Sequence, residues 1–171
     1  MMAVFLAIAN SLMDSGFRQA LIRLKGATQA DFNTAFYANL GLGAIAYLLL
    51  FFFAPIIAGF CHEPRLIILI RVAGLNVLIH AFQVIQSALL HRELNFKAQL
   101  QATIPAGIIS GAVAVGLAYF GFGVWALIVQ MLLASLITTL LLWHIQGWRP
   151  TLGFSRKAFA GMYNFGYKLF I

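Results

Sequence analysis

The fold of this chain is decided by the stretch LIILIRVAGLNVLIHAFQVIQSALL, residues 66–90. About 20 apolar residues, at a rise of roughly 1.5 Å each, are enough for a helix to cross the hydrocarbon core of a bilayer. The whole chain has a matching composition, because 63% of its 171 residues are hydrophobic and 9% are charged, against about 25% charged in soluble domains. Its apolar runs are continuous and lack the alternation of a membrane β-barrel. We therefore expect an all-α, polytopic membrane helix bundle.

One face of the helix predicted at 66–90 is polar. Four polar residues recur at intervals of four, three and four positions, so a helix places them in one stripe, called the polar stripe below. They are Asn76, His80, Gln83 and Ser87. Lipid does not solvate such groups, so the stripe either lines a water-filled cavity or hydrogen-bonds neighbouring helices. Arg71 lies on another face, where its permanent charge needs an anionic partner, water, or a snorkelling path to the membrane surface.

Apolar runs of similar length recur along the chain. Spans are predicted at about 1–25, 32–60, 66–90, 98–120 and 124–145, with the start of a further helix at 158–171. Gly107 and Gly111 form a GxxxG motif, which predicts close packing of the 98–120 helix against another helix. The pattern begins and ends abruptly at the two termini. We expect a single transmembrane domain, 1–171, with five to six helices and both ends truncated.

Lys and Arg are distributed unevenly between the predicted loops. The loops at 14–34, 91–97 and 146–157 together carry eight of them, whereas the two loops on the opposite side carry Arg65 alone. Cytoplasmic loops of membrane proteins are enriched in Lys and Arg, so we expect the three rich loops to be cytoplasmic. In this orientation Arg71 lies in the outer half of the membrane.

The residue patterns of enzymes and metal sites do not occur in this sequence. The four acidic residues, Asp14, Asp31, Glu63 and Glu93, all lie at or near predicted helix ends. No Ser/His/Asp arrangement or phosphate-binding glycine loop is present, and Cys61 has no second Cys or paired His at metal-ligand spacing. We expect no enzymatic activity, cofactor, metal or nucleic-acid partner. The remaining interior is cationic and poor in carboxylates, which favours an anionic substrate such as a phosphate or pyrophosphate.

Four stretches together carry a family resemblance: DSGFRQALIRLK at 14–25, ALLHRELNFKAQ at 88–99, GFGVWALIVQ at 121–130 and WRPTLGFS at 148–155. In this order and spacing they resemble the polysaccharide flippases of the Wzx type, within the multidrug/oligosaccharidyl-lipid/polysaccharide exporter superfamily. The resemblance implies two six-helix halves around a central cavity, of which this chain is most of the N-terminal half. It also implies alternating access, by which undecaprenyl-diphosphate-linked oligosaccharide crosses the bacterial inner membrane for surface polysaccharide or lipopolysaccharide synthesis.

The substrate contacts follow from the polar stripe and from the cationic cavity that the resemblance implies. Arg18 and Arg71 are expected to attract the diphosphate, and Asn76, His80 and Gln83 to contact sugar hydroxyls or water. The expected partners are membrane lipid, the lipid-linked oligosaccharide, and the missing second half of the transporter or other polysaccharide-assembly proteins. Two alternatives stay open. One is a drug or cation exporter of the same superfamily, and the other is a non-transporting membrane scaffold or assembly subunit whose polar stripe packs entirely against other helices.

Overall fold

The computed structural model describes residues 28–60 and 62–151, whose regular structure is entirely helical. The helices are α1 Gln29–Phe60, α2 Leu66–Arg92, α3 Phe96–Tyr119 and α4 Val124–Gln146. All four are long and apolar enough to cross a membrane. The all-α fold is therefore confirmed in the described part of the chain. Four helices are fewer than the five to six expected, and the runs predicted at 1–25 and 158–171 lie outside the described residues.

The ends of the helices follow from local chemistry. Before α1, Thr28 donates its backbone N–H and its hydroxyl to the carboxylate of Asp31, each at 2.8 Å. A carboxylate in the first turn also suits the positive end of the helix dipole. Asn95 caps α3 by accepting a hydrogen bond from the backbone N–H three residues later. Gly121 and Gly123 have φ values of +82° and +53°, which other residues rarely adopt, and they permit the tight turn into α4.

Helix α2 lies at the centre of the bundle. It packs along α1 and along α4, while α3 packs mainly along α4. The fold is thus two helical hairpins, α1/α2 and α3/α4, joined chiefly by the contact between α2 and α4. Along α2 the side chains of Ala73, Val77 and Ala81 are fully buried. Small and β-branched residues at every fourth position let neighbouring helices approach closely.

Helix α3 meets α4 through alanine and serine and not through its GxxxG motif. The buried residues of α3 recur at every fourth position and are Ala98, Ala102, Ala106, Ser110 and Ala114. A Cβ built at Gly107 or Gly111 would meet no heavy atom within 4 Å among the described residues. The close packing predicted at the GxxxG motif is therefore not found in this part of the chain. The neighbouring face provides it, because alanines at this spacing allow the same close approach.

The loops alternate between the two ends of the bundle. At one end, Gln29 donates to the backbone carbonyl of Arg149 at 3.1 Å, and Gln86 donates to that of Trp148 at 3.2 Å. These bonds bring together the start of α1, the last part of α2 and the segment that follows α4. At the other end, Arg65 and the α3–α4 turn line one cavity. This alternation agrees with the loop pairing used for orientation, while the cytoplasmic assignment stays a prediction.

Gly74 lies at a position of α2 where a side chain has little room. A Cβ built there would come within 3.2 Å of the Tyr47 ring on α1. We expect Gly74→Val to lower the free energy of unfolding by about 1–3 kcal/mol, as overpacking does, seen as a lower thermal midpoint in detergent. Gly107→Val is the matched control, because a Cβ built there meets no heavy atom of the described residues within 4 Å. Equal shifts in both variants would contradict the close contact.

Candidate functional site

The polar stripe runs along the interior of the bundle. Asn76 and Ser87 are buried, whereas His80 and Gln83 are half-buried. The Ser135 hydroxyl on α4 donates a hydrogen bond of 2.5 Å to Asn76 Oδ1. This bond joins α2 to α4, as expected if the role of Asn76 is in helix packing. His80 and Gln83, in contrast, keep part of their surface accessible, so the middle of the stripe is less buried than its two ends.

Arg71 is half-buried near the start of α2. Its guanidinium carbon lies 4.1 Å from the centroid of the Phe51 ring on α1, which is a cation–π contact. Its Nε is buried and has no hydrogen-bond partner in the described part of the chain. The sequences of α2, α3 and α4 contain no carboxylate. A cation–π contact uses none of the five N–H donors of a guanidinium, so the contact with Phe51 does not satisfy the hydrogen bonding of Arg71.

Two buried amides beside the polar stripe were missed by the sequence analysis. Asn39 on α1 and Gln86 on α2 are both 0% exposed. Asn39 donates to the backbone carbonyl of Ala81 at 3.4 Å, and Gln86 donates to that of Trp148. The side-chain oxygens of both amides are buried without a partner among the described residues. Buried polar atoms are nearly always hydrogen-bonded, so each oxygen marks a place for a donor such as water or a hydroxyl.

The sequence held a weak signal for these two amides. Each interrupts an otherwise apolar run, but a single amide in a span is also common in plain helix packing. Gln86 lies next to the polar stripe and not on it, so the helical spacing that identifies Asn76 does not identify Gln86. The depth of burial separates these amides from ordinary polar residues, and only the packing of α1, α2 and the segment after α4 supplies it.

The predicted substrate contacts are spread along α2 and not gathered in one place. At about 1.5 Å per residue, Arg71 and Gln86, which was not among the predicted contacts, are roughly 22 Å apart along the helix axis. His80 and Gln83 lie between them. Arg18 lies outside the described residues, so its relation to Arg71 stays a prediction. The polar residues of α2 thus extend along most of a membrane span, with the cation of Arg71 near one end.

Comparison with known proteins places this chain in a family. The family profile described as "Polysaccharide biosynthesis protein" matches residues 1–171. The chain belongs to this family. It is 25% identical over 161 residues to the teichuronic acid biosynthesis protein TuaB of Bacillus subtilis, covering 92% of this chain and 33% of TuaB. It is also 25% identical over 153 residues to the succinoglycan biosynthesis transport protein ExoT of Rhizobium meliloti, covering 90% of this chain and 31% of ExoT.

A third relative has a similar extent of match. The lipopolysaccharide biosynthesis protein WzxC of Escherichia coli is 26% identical over 165 residues, which cover 95% of this chain and 34% of WzxC. No solved structure matches the chain significantly. The family membership confirms the resemblance carried by the four sequence stretches. Together with the four apolar helices, it makes this a multi-pass membrane protein of polysaccharide biosynthesis that spans about a third of the length of these relatives.

Proposed function

We propose that this chain is part of a transporter that moves oligosaccharide linked to undecaprenyl diphosphate across the bacterial inner membrane by alternating access. The relatives support transport in polysaccharide synthesis, since ExoT is described as a transport protein and WzxC as a lipopolysaccharide biosynthesis protein. The observation that carries the proposal is the state of Arg71. Arg71 is half-buried in a spanning helix, its guanidinium lies over an aromatic ring, and its Nε has no hydrogen-bond partner among the described residues. A bound anion would give this guanidinium both a counter-charge and a hydrogen-bond acceptor.

The two chemical parts of this substrate match the two kinds of group along α2. The diphosphate is anionic and suits Arg71, with Arg18 proposed as a second cation. The sugar hydroxyls both donate and accept hydrogen bonds, so they suit the half-buried His80 and Gln83. A drug-like cation would instead favour carboxylates in the spans, and α2 to α4 contain none. The proposed activity is transport without a chemical step on the substrate.

The activity is proposed for the whole protein, because this chain spans about a third of the length of its relatives. Helices α1 to α4 would supply one wall of the cavity, and the rest of the transporter or other polysaccharide-assembly proteins would supply the others. In the proposed orientation the loops at 14–34, 91–97 and 146–157 face the cytoplasm. The substrate then enters from the side of the bundle that carries Trp148 and leaves on the side of Arg71.

One observation favours the scaffold as a second candidate function. The hydrogen bond between Ser135 and Asn76 buries one member of the polar stripe in a helix contact. If every member of the stripe were used in this way, no polar surface would remain for a substrate. His80 and Gln83 are only half-buried, which leaves surface for a substrate and keeps transport as the first candidate.

Reconstitution separates the two candidates. We expect the full-length protein in liposomes to move undecaprenyl-diphosphate-linked oligosaccharide between leaflets, measured as the fraction that an added glycosidase can cleave from outside. The matched control is the same lipid-linked oligosaccharide in liposomes without protein, because spontaneous crossing of a diphosphate is slow in a medium that does not solvate charge. A rate equal to that of protein-free liposomes would reject the transporter and leave the scaffold.

A further inference from the structure

A cavity of about 360 Å³ lies at the end of the bundle where the α1–α2 and α3–α4 turns meet. Its lining comes from both hairpins and includes Arg65, Ile68, Leu69, Phe122, Val124 and Trp125. The cavity, called the turn cavity below, includes none of the residues proposed to contact the oligosaccharide, which are Arg18, Arg71, His80 and Gln83. Its volume falls in the range of small-molecule sites, about 300–1,000 Å³. A ligand seated there would touch both hairpins at once.

The lining of the turn cavity combines one cation with apolar walls. Arg65 is the single charged residue among the lining residues, and it is exposed at the rim. Glu63 belongs to the same turn, but it does not line the cavity. Ile68 and the buried Leu69 supply aliphatic surface from α2, and Trp125 supplies an aromatic surface from α4. This arrangement suits a ligand that is anionic at one end and apolar at the other.

The position of the turn cavity indicates which amphipathic anion it meets. Both turns follow the ends of apolar spanning helices, at Phe60 and at Tyr119, so the cavity lies where hydrocarbon gives way to lipid headgroups. Tyr119 and Phe120, which directly precede the α3–α4 turn, are 91% and 78% exposed, as aromatic residues of the membrane interface are. Phospholipid phosphates lie at this depth, with glycerol and acyl carbons just below them.

We propose that the turn cavity binds the headgroup phosphate and glycerol region of a membrane phospholipid. Arg65 pairs with the phosphate, because a guanidinium fork matches two phosphate oxygens. Ile68, Leu69 and Trp125 cover the glycerol and the upper acyl carbons. A free phosphate ion would satisfy the arginine but leave these apolar walls in water, so the lipid is the occupant. The proposal requires only that the helices span a membrane, and it is independent of what the protein transports.

Native mass spectrometry of the full-length protein, titrated with phosphatidylglycerol in detergent, tests this site. Arg65→Gln is expected to weaken binding of the lipid about tenfold, a loss near 1.4 kcal/mol. Arg65→Lys should lose less, because it keeps the charge but not the fork. Val124→Trp fills the cavity while keeping Arg65, and should weaken binding as strongly as Arg65→Gln. Arg92→Gln is the matched control, since Arg92 ends α2 at the opposite end of the bundle.

Two further ligands identify the part of the lipid that is recognised. Diacylglycerol, which lacks the phosphate, should bind wild type and Arg65→Gln alike, and inorganic phosphate should not displace phosphatidylglycerol. The proposal is overturned if Arg65→Gln and wild type bind phosphatidylglycerol equally, if Arg92→Gln loses as much, or if inorganic phosphate displaces the lipid. Transport is not measured in this experiment, so failure of the transporter proposal would leave its outcome unchanged.

Discussion

Replacing Arg71 with alanine in the full-length protein is expected to lower polysaccharide export about tenfold or more, the effect of losing roughly 1.4 kcal/mol of substrate binding per factor of ten. The reason is that Arg71 places a positive charge inside the spanning helix α2, and the sequences of α2, α3 and α4 contain no carboxylate to balance it. Its Nε has no hydrogen-bond partner among the described residues, and a phosphate would give the guanidinium the anionic partner that it lacks there. The measurement is surface polysaccharide at equal membrane levels of each variant.

Three further variants separate binding from structure at Arg71. Arg71→Lys should retain part of the export, because it keeps the charge without the guanidinium fork. Phe51→Leu removes the ring that Arg71 covers but leaves the charge, so export should persist. Arg92→Ala is the control, since its guanidinium also lies over a ring, 5.7 Å from the centroid of Phe32, but at a helix end. Unchanged export in Arg71→Ala would remove Arg71 from the site, and equal losses in Phe51→Leu would assign it a packing role.

The second large effect is expected at the segment 147–151, which follows α4 and returns over the start of α1. Trp148→Ala is expected to lower the free energy of unfolding by about 2 kcal/mol, below the roughly 3–5 kcal/mol of a fully buried Trp, because Trp148 is only half-buried. Its ring packs edge-on against Phe32 and Phe36, with centroids 6.4 and 6.1 Å apart. Its indole N–H donates to Gln29 Oε1 at 3.0 Å. Chemical unfolding in detergent measures the loss.

Asn33 provides an independent check on the same segment. Its amide donates to the Thr151 hydroxyl at 2.6 Å and accepts from the Thr151 backbone N–H at 3.1 Å. Asn33→Leu should therefore destabilise by about 1–3 kcal/mol, since two hydrogen bonds of about 0.5–1.5 kcal/mol each are lost. The double variant with Trp148→Ala should lose less stability than the sum of the two single variants. Either change alone already detaches segment 147–151 in part, so the second change removes fewer remaining contacts. Trp125→Ala at the opposite end is the control, and a loss there as large as in Trp148→Ala would contradict the role of the segment.

Much of the architecture could be predicted because the local composition of a membrane span is enough to identify it. A helix that crosses a bilayer satisfies its own backbone hydrogen bonds, so the length of an apolar run is enough to predict it. The structure accordingly has helices at Gln29–Phe60, Leu66–Arg92, Phe96–Tyr119 and Val124–Gln146, overlapping the predicted runs. Packing was less predictable. Gly107 and Gly111 formed the expected motif, yet α3 meets α4 along its alanines, because several faces of that helix are small enough for close approach.

The candidate site was predicted only in part. The periodicity of the polar stripe and the charge of Arg71 were visible in the sequence, since both are properties of one helix. The partners of these residues were not, because Ser135 lies on α4 and Phe51 on α1. The burial of Asn39 and Gln86 was equally hidden. In the sequence, an Asn or Gln of a spanning helix gives the same pattern whether or not a neighbouring helix buries its side chain.

By itself the sequence determined that this protein is an all-α membrane protein, which loops lie on the same side, and to which family it is similar. Composition, the positions of Lys and Arg, and four short stretches carry this information, and none of them depends on which helices touch. Only the tertiary structure decided that α2 is central, that Asn76 is used in a helix contact while Arg71 Nε has no partner among the described residues, and that segment 147–151 packs over the start of α1. The physical reason is that hydrogen bonding and burial of a side chain depend on residues distant in sequence, which only the packing of the helices brings within reach.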